Sequence, residues 1–330
     1  MVKEVRVGLF GYGAINRLVA RVVLERGWEI VGVVDKDPRI LGEDAGKLAG
    51  LEPLGIKVSN KPEVLKNAEV VLHATGSYLD KVFDQLETLI KMGKDVLSTC
   101  ETLAYPYYRY PELARKLDEL AASRGVTVLG AGINPGFLLD ALVIVLSAPF
   151  NIIKGVRAVR SLDAGKRRLP FRIKVGIGLD PEVYVDKLKK GELTGHVGYA
   201  ESVYLVAQSM GVKLSKVEEA QEPVVAKSNV TVAGQTVPAG KVIGIKGYGK
   251  GYVNDKEVIS IEFHAYVGAR EFEEISIIGK DYNVTWRSTG TPGDLGTASV
   301  IVNLAEAVAA YRPGLITMAD IVPFRPRLLT

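Results

Sequence analysis

The chain has one cysteine, three histidines and four methionines in 330 residues. A lone Cys100 excludes an internal disulfide, and no Cys or His cluster has the spacing of a metal site. Dense basic blocks are missing as well: 42 Lys and Arg against 38 Asp and Glu leave a net charge of +4 spread along the chain. That distribution argues against nucleic-acid binding. No apolar run is long enough to cross a bilayer; the longest, Phe137 to Phe150, is interrupted by Asp140 and Pro149. No signal-like segment precedes the first apolar run, so a cytoplasmic location is expected. Asn, Gln, Met and Cys are all scarce, which hints at a thermophile. Repeats and low-complexity tracts are absent.

What remains is an ordinary globule, 47% apolar and 24% charged, long enough for two cores. Its most informative stretch is VRVGLFGYGAINRLVARVVLERGWEIVGVVD, residues 5 to 35. An apolar run, a Gly-x-Gly turn, an amphipathic helix and a second apolar run ending in Asp35 form a βαβ unit suited to a dinucleotide. Gly11 permits a tight turn, and Gly13 has no Cβ to keep a pyrophosphate from the backbone. The next helix aims its free N–H groups at the same place. Asp35 stands where a carboxylate accepts from a ribose 2′-hydroxyl. The third glycine position of the fingerprint holds Asn16, which predicts a helix slightly further from the strand. The plainer alternative is a parallel sheet whose Gly11 and Gly13 only make a turn.

Strand and helix patterns alternate through residue 130, with strands predicted near Ile56 and at AEVVLHATGS, DVLST and VTVLGAGI. Helices are predicted over Lys61–Asn67, Leu79–Met92 and Pro106–Ser123. After Asn134-Pro135-Gly136 the rhythm changes. A buried helix is expected over Phe137–Leu146 and another over Tyr199–Met210. Strands are expected over Gly155–Leu162, Val224–Val232, Lys241–Tyr252, Val258–Val267, Glu271–Gly279 and Asn283–Ser288. The expected fold is α/β: an N-terminal Rossmann-type doubly wound parallel sheet over 1–135, then a C-terminal α+β domain with a mainly antiparallel sheet over 136–294. The C-terminal helical segment, about 295–330, is expected to pack back on the first domain.

Parallel sheets bind ligands at the carboxyl ends of their strands. Four loops leave such ends here: Gly11–Asn16, Ala74–Tyr78, Thr99–Leu103 and Gly132–Phe137. They are expected to line one crevice that the second domain closes. The dinucleotide contacts expected are Gly11, Tyr12, Gly13, Ala14, Ile15, Asn16, Asp35, Lys36, Ala74, Thr75, Gly76, Ser77, Thr99, Cys100 and Asn134.

Glu101, one residue past a buried strand, is the sharpest candidate for chemistry, because a partly dry crevice suits a carboxylate to proton transfer. Its bland alternative is a first-turn acid for the helix near Pro106. Pro135 and Phe137 mark the domain crossing, as a site wall or merely as a turn. The run RSLDAGKRRLPFR, Arg160 to Arg172, offers cations for a substrate carboxylate, although a solvated strand edge is the usual meaning of such a run. His196 lies between glycine-flanked turns and reads equally well as ligand contact or surface cap. His73 and His264 read as neutral core histidines, and Cys100 as packing.

GYGAIN, VDKDP, STCETLAYP, GAGINPGFLLDAL, DAGKRRLPFRIKVG, GHVGYAES and STGTPGDLGTASVIVNLAEAV occur in that order. Together they resemble the 2,4-diaminopentanoate dehydrogenase family, which includes the native amine dehydrogenases. Asn16, where that family usually has Gly, is the main departure. The resemblance implies NAD- or NADP-dependent oxidative deamination of 2,4-diaminopentanoate or a related amine to a ketone and ammonia, or the reverse reductive amination. It also implies Glu101 as the catalytic carboxylate and a homodimer. Pro135, Phe137, Arg160, Arg168 and His196 are the expected substrate contacts, with Arg160, Arg168 and His196 as a cationic clamp for an amino acid. Asp35 favours NAD, and Lys36 and Arg39 lie close enough to compensate for NADP. Two rivals remain: a dihydrodipicolinate reductase-like imine reductase, whose His-rich basic motif followed by Ser-Gly-Thr is missing, and a dinucleotide-sensing protein without turnover.

Overall fold

The computed structural model describes residues 4–322 and 327–328. The chain divides into two compact units, one taking residues up to Phe137 and again from Pro292, the other running from Leu138 to Thr291 and taking the C-terminal strand. In the first unit, strands β1 (Arg6–Phe10), β2 (Glu29–Val34), β3 (Val58–Ser59), β4 (Val70–His73), β5 (Asp95–Ser98) and β6 (Thr127–Gly130) alternate with helices Ala14–Glu25, Leu79–Lys91 and Pro111–Arg124. The second unit holds β7 (Ile152–Asp163), β8 (Lys216–Val225), the hairpin β9 (Val230–Val232) and β10 (Gln235–Val237), β11 (Val242–Val253), β12 (Lys256–Tyr266), β13 (Phe272–Gly279) and β14 (Asn283–Arg287). The chain then returns to the first unit with helix Gly293–Ala305 and β15 (Gly314–Ile316). A last strand, β16 (Arg327–Leu328), pairs with β7.

The first sheet runs β15-β6-β5-β4-β1-β2-β3, and every pairing in it is parallel. Its strands read as near-continuous apolar runs because helices cover both faces. Leu9, Val71, Leu72, Val96, Leu97 and Val128 are all fully buried. Helix Gly293–Ala305 packs against Ala14–Glu25 and the strands β4 and β5. The second sheet runs β14-β13-β7-β12-β11-β8 and is mostly antiparallel, with β7 and β12 parallel.

Several expected elements shift. The helix expected from Pro106 begins at Pro111, whose fixed φ suits the first helical position. Over Phe137–Leu146 only Ala141–Leu146 is helical, because the Asp140 carboxylate accepts from the Ala141 N–H at 2.6 Å and starts it there. The strand expected over Val224–Val232 is two elements. Its first part belongs to β8, an edge strand whose charged, half-exposed residues hide its alternation and where Pro223 costs no ladder bond. Its end is the β9 hairpin strand. Helices Leu169–Lys174 and Pro181–Lys189 and the three-residue β15 were not anticipated. Of the expected C-terminal return, residues 323–326 and 329–330 lie outside the described residues.

Candidate functional site

Strands β6, β5, β4 and β1 lie side by side, so the four loops expected to carry the site all leave the same edge of the first sheet. Gly11 has φ +84°, and a Cβ there would sit 2.5 Å from Thr75 Cγ2 and 2.6 Å from the Ala74 carbonyl oxygen. Only glycine lets the first loop lie against the β4 loop. Gly13 begins the helix Ala14–Glu25 without a side-chain cap, and no acid occupies the first turn. A Cβ on Gly13 would meet nothing within 4 Å, so the space in front of this helix end is open. A helix end with bare N–H groups and open space in front suits a phosphate.

A cavity of about 490 Å³ opens at this edge, lined by Gly11, Gly13, Asp35, Lys36, Ala74, Thr75 and Gly76, all expected contacts. Phe10, Val34, Asn60, Lys81, Val82 and Gln85 complete its wall and were not anticipated. Phe10 and Val34 end their strands there, a placement the strand pattern already implied. Lys81 and Gln85, one helical turn apart on Leu79–Lys91, gave no sequence signal. Asp35 accepts from the Tyr12 N–H at 2.5 Å through Oδ2 and from the Asp37 N–H at 2.8 Å through Oδ1. The carboxylate is thereby fixed while two further lone-pair positions stay available. Arg39 does not reach toward it: its guanidinium makes a forked pair with Asp37 at 2.6 to 3.1 Å. That pair holds the Asp37 carboxyl down to about 2.

Three expected dinucleotide contacts turn their side chains into the core instead. The Tyr12 ring is fully buried, and its hydroxyl donates to the Ala45 carbonyl at 2.7 Å. Asn16 is fully buried too, its amide donating to Phe10 O at 3.1 Å and Leu72 O at 3.0 Å. A side chain that bridges the ends of β1 and β4 explains why the third glycine is dispensable. Cys100 is buried, and its thiol is pushed up to about 12 by burial and then by the Glu101 carboxylate. It is no nucleophile. Ala14 and Ile15 form the exposed and half-buried first turn of the helix. Ser77 and Thr99 act through backbone, Ser77 O accepting from Thr102 N at 3.0 Å and Thr99 N donating to His73 O at 2.9 Å.

Glu101 opens a short 3₁₀ turn, Glu101–Ala104, three residues past the end of β5 rather than one, and is half-buried. Two contacts fix that turn. The Thr102 hydroxyl accepts from Leu79 N at 2.8 Å, capping the helix Leu79–Lys91 from outside. Gly130, at the end of β6, admits the turn's backbone: a Cβ there would lie 2.4 Å from the Leu103 carbonyl carbon. On the β6 loop, Asn134 and Phe137 are half-buried and Pro135 is buried.

In the second unit the expected cationic clamp is largely otherwise engaged. Arg160 is 2% exposed, its Nε 3.3 Å from Glu273 and its Nη2 2.9 Å from the Thr291 carbonyl. His196 lies between Tyr199 and Phe263, with centroids at 4.7 and 4.5 Å. Burial, with Lys174 and Arg160 nearby, holds it well below the usual histidine range, so it is neutral. Arg168 alone of the three is exposed, at the start of helix Leu169–Lys174. Lys174, two residues past the basic run and not among the expected contacts, is half-buried and close enough to act on His196. His264 is no core histidine: it keeps 23% side-chain exposure and pairs with Glu262 at 3.3 Å.

The sequence model of the 2,4-diaminopentanoate dehydrogenase C-terminal domain matches residues 137–327. A 2,4-diaminopentanoate dehydrogenase from Acetoanaerobium sticklandii is 32% identical over 97% of this chain and 94% of its own. The chain belongs to the 2,4-diaminopentanoate dehydrogenase family. A solved amine dehydrogenase from Mycobacterium smegmatis superposes with a TM-score of 0.86 at 25% identity, covering 99% of both chains. The sequence model of the dihydrodipicolinate reductase N-terminus matches only residues 5–100. A 4-hydroxy-tetrahydrodipicolinate reductase from Acinetobacter baylyi is 34% identical over 21% of this chain and 27% of its own. Kinship to the reductases is therefore partial, whereas kinship to the diaminopentanoate dehydrogenases runs through both units. Among the described residues, no helix is long and apolar enough to cross a membrane.

Proposed function

We propose that this chain is an NAD(P)-dependent dehydrogenase that oxidatively deaminates 2,4-diaminopentanoate or a related amine to a ketone and ammonia, and runs the reverse reductive amination. The observation that carries the reading is the coincidence of full-length family kinship with a glycine-built cavity at the carboxyl edge of the first sheet. The residues present fit a dinucleotide: Gly13 leaves the space, the bare helix end faces it, and Asp35 stands beside it. When bound, the nicotinamide accepts or returns a hydride.

Glu101 is the proposed proton carrier. An ammonium cannot lose a hydride, so the amine must first give up a proton, and a carboxylate at the strand end takes it. Glu101 passes that proton to solvent and is again a carboxylate when hydride leaves the C–N carbon, so it stabilises the charge of the iminium that forms. Water then adds to that carbon, its proton passing to Glu101. The C–N bond breaks as nitrogen is reprotonated and departs as ammonia. The sum is amine, water and oxidised cofactor giving ketone, ammonia, reduced cofactor and a proton.

NAD is the proposed preference. Two backbone N–H bonds keep the Asp35 carboxylate from swinging aside for a 2′-phosphate, and Arg39 is held by Asp37. For a carboxylate-bearing substrate, Arg168 and Lys174 replace Arg160 and His196 as the proposed cations. Pro135 and Phe137 remain the proposed wall at the site. The family resemblance also implies a homodimer, which sedimentation of the purified chain tests directly.

The deciding experiment follows absorbance at 340 nm with NAD or NADP against 2,4-diaminopentanoate, simple amines, and ketones with ammonia. Turnover with any amine supports the reading. Cofactor binding without turnover across the panel supports a sensing protein instead.

A further inference from the structure

A chain of hydrogen bonds centred on a buried histidine connects the cavity wall to the segment leading into the Glu101 turn, and nothing in the proposed chemistry requires it. His73, the last residue of β4, is fully buried. Its Nε2 lies 2.9 Å from Gln85 Oε1 and 2.9 Å from Thr75 Oγ1, and the Thr75 hydroxyl donates to Gln85 Oε1 at 2.7 Å. Thr75 and Gln85 both line the cavity, as does Phe10, whose ring lies 5.5 Å from the imidazole. On the other side His73 Nδ1 lies 2.8 Å from Ser98 Oγ, which accepts from the Cys100 N–H at 3.1 Å. Cys100 immediately precedes Glu101.

One neutral tautomer satisfies every bond. With the Gln85 carbonyl facing the ring, Nε2 carries the proton and shares it between Gln85 Oε1 and Thr75 Oγ1, and Nδ1 accepts from the Ser98 hydroxyl. Burial holds the ring down to about 4, so this form persists at neutral pH. A leucine would fill the same space in a parallel strand without needing three polar partners. An imidazole here fixes orientation on both sides, and a fully satisfied buried network rigidifies what it joins.

We propose that His73 is a positioning residue that couples the dinucleotide seat, through Thr75 and Gln85, to the turn bearing Glu101, through Ser98 and the Cys100 N–H. This rests on the cavity being the dinucleotide site. The test compares His73→Leu, Ser98→Ala and the double variant with the unmodified protein. Cofactor dissociation constants come from nicotinamide fluorescence, and kcat is measured at saturating cofactor. Ser98→Ala cuts only the Glu101 side, so kcat falls about fivefold while cofactor affinity stays within twofold. His73→Leu cuts both, so kcat falls about tenfold and cofactor affinity weakens about tenfold. The double variant is no slower than His73→Leu, because the two changes act on one chain of bonds. Rescue of cofactor affinity by His73→Gln, which restores a donor toward Gln85, supports the coupling further.

Unchanged kcat in Ser98→Ala overturns the proposal, and does so even if His73→Leu fails to fold. Multiplicative losses in the double variant also overturn it. An unmodified protein that binds neither NAD(H) nor NADP(H) overturns the functional reading itself. Amine turnover that survives intact in His73→Leu removes only the coupling.

Discussion

The two units place their buried polar groups differently. In the first, Asn16, His73, Ser98 and Thr102 gather at the carboxyl ends of neighbouring strands or just beyond, each bonded to an adjacent strand end or loop. In the second, Arg160 and Glu273 face each other across β7 and β13, within the sheet, and are 2% and 1% exposed. Glu273 also accepts from the Thr291 N–H at 3.1 Å and from the hydroxyls of Ser288 and Thr291. Polar groups at strand ends can serve a ligand because one side of them remains near a cavity. A cross-strand ion pair inside a sheet can only organise protein, here the loop Ser288–Thr291. On the proposed reading, chemistry belongs to the first unit's sheet edge and the second unit's cross-strand pair is architectural.

Glu273→Ala should produce the largest effect, since it leaves the Arg160 guanidinium buried without its carboxylate. Breaking one side of a buried pair costs about 3–5 kcal/mol. Denaturant unfolding reads the loss, and cofactor affinity in the protein that remains folded should be unchanged. A variant as stable as the parent would show that the pair is not architectural and would return Arg160 to the list of substrate contacts.

Acid sharpens the comparison next, because each unit holds one histidine whose proton affinity is depressed. His73 is lowered from 6.5 to about 4 by burial. Above 6.5 the ring is neutral folded or unfolded and pH has no effect through it. Below 6.5 the unfolded chain binds a proton that the folded chain refuses, so stability falls until about pH 4, then levels. The full loss is about 3 kcal/mol. His73→Gln should flatten that part of the curve and leave the part due to His196. An unchanged curve would mean that the His73 ring is hydrated rather than dry.

Glu101→Gln should lower turnover by about 10² or more, with cofactor affinity within a few-fold and stability unchanged. Steady-state and binding measurements on one preparation suffice. Equal turnover would remove the carboxylate from the mechanism and leave the first unit with a seat but no chemistry.

The same contrast explains what could be read in advance. Strand-end function in a parallel sheet leaves local marks: Gly11 and Gly13 in an apolar frame, Asp35 closing the second run, Glu101 just past the fourth buried run. Asn16 looked like a defect in the fingerprint because its partners, Phe10 O and Leu72 O, are backbone atoms of two strands, one of them 56 residues away. Arg160 looked like part of an exposed basic run because its neutralising partner is 113 residues downstream and meets it only through sheet register. Charge in a sequence window does not report burial. The surroundings of His196 were hidden for the same reason, since Phe263, which helps enclose it, arrives from another strand. The edge strand β8 escaped because the residues that mark an edge are the ones that blur alternation.

The smallest effect expected concerns Asp35, where the sheet edge chooses between two nucleotides. Its two oxygens each accept one backbone N–H, from Tyr12 and Asp37. Asn at this position keeps one acceptor and turns an NH₂ toward the other N–H, so one of the two bonds must break. Loss of charge removes repulsion of a 2′-phosphate, while the loosened Gly11–Gly13 turn weakens both nucleotides alike. Asp35→Asn should therefore weaken NAD by a few-fold and leave NADP nearly unchanged. The NAD to NADP ratio of kcat/KM should fall about fourfold, or about 0.8 kcal/mol. Arg39, already tied to Asp37, should contribute little, so Arg39→Ala in the Asp35→Asn background should not undo the gain. If it does, Arg39 leaves Asp37 when NADP arrives, and the fixed geometry at this edge is a property of the NAD state alone.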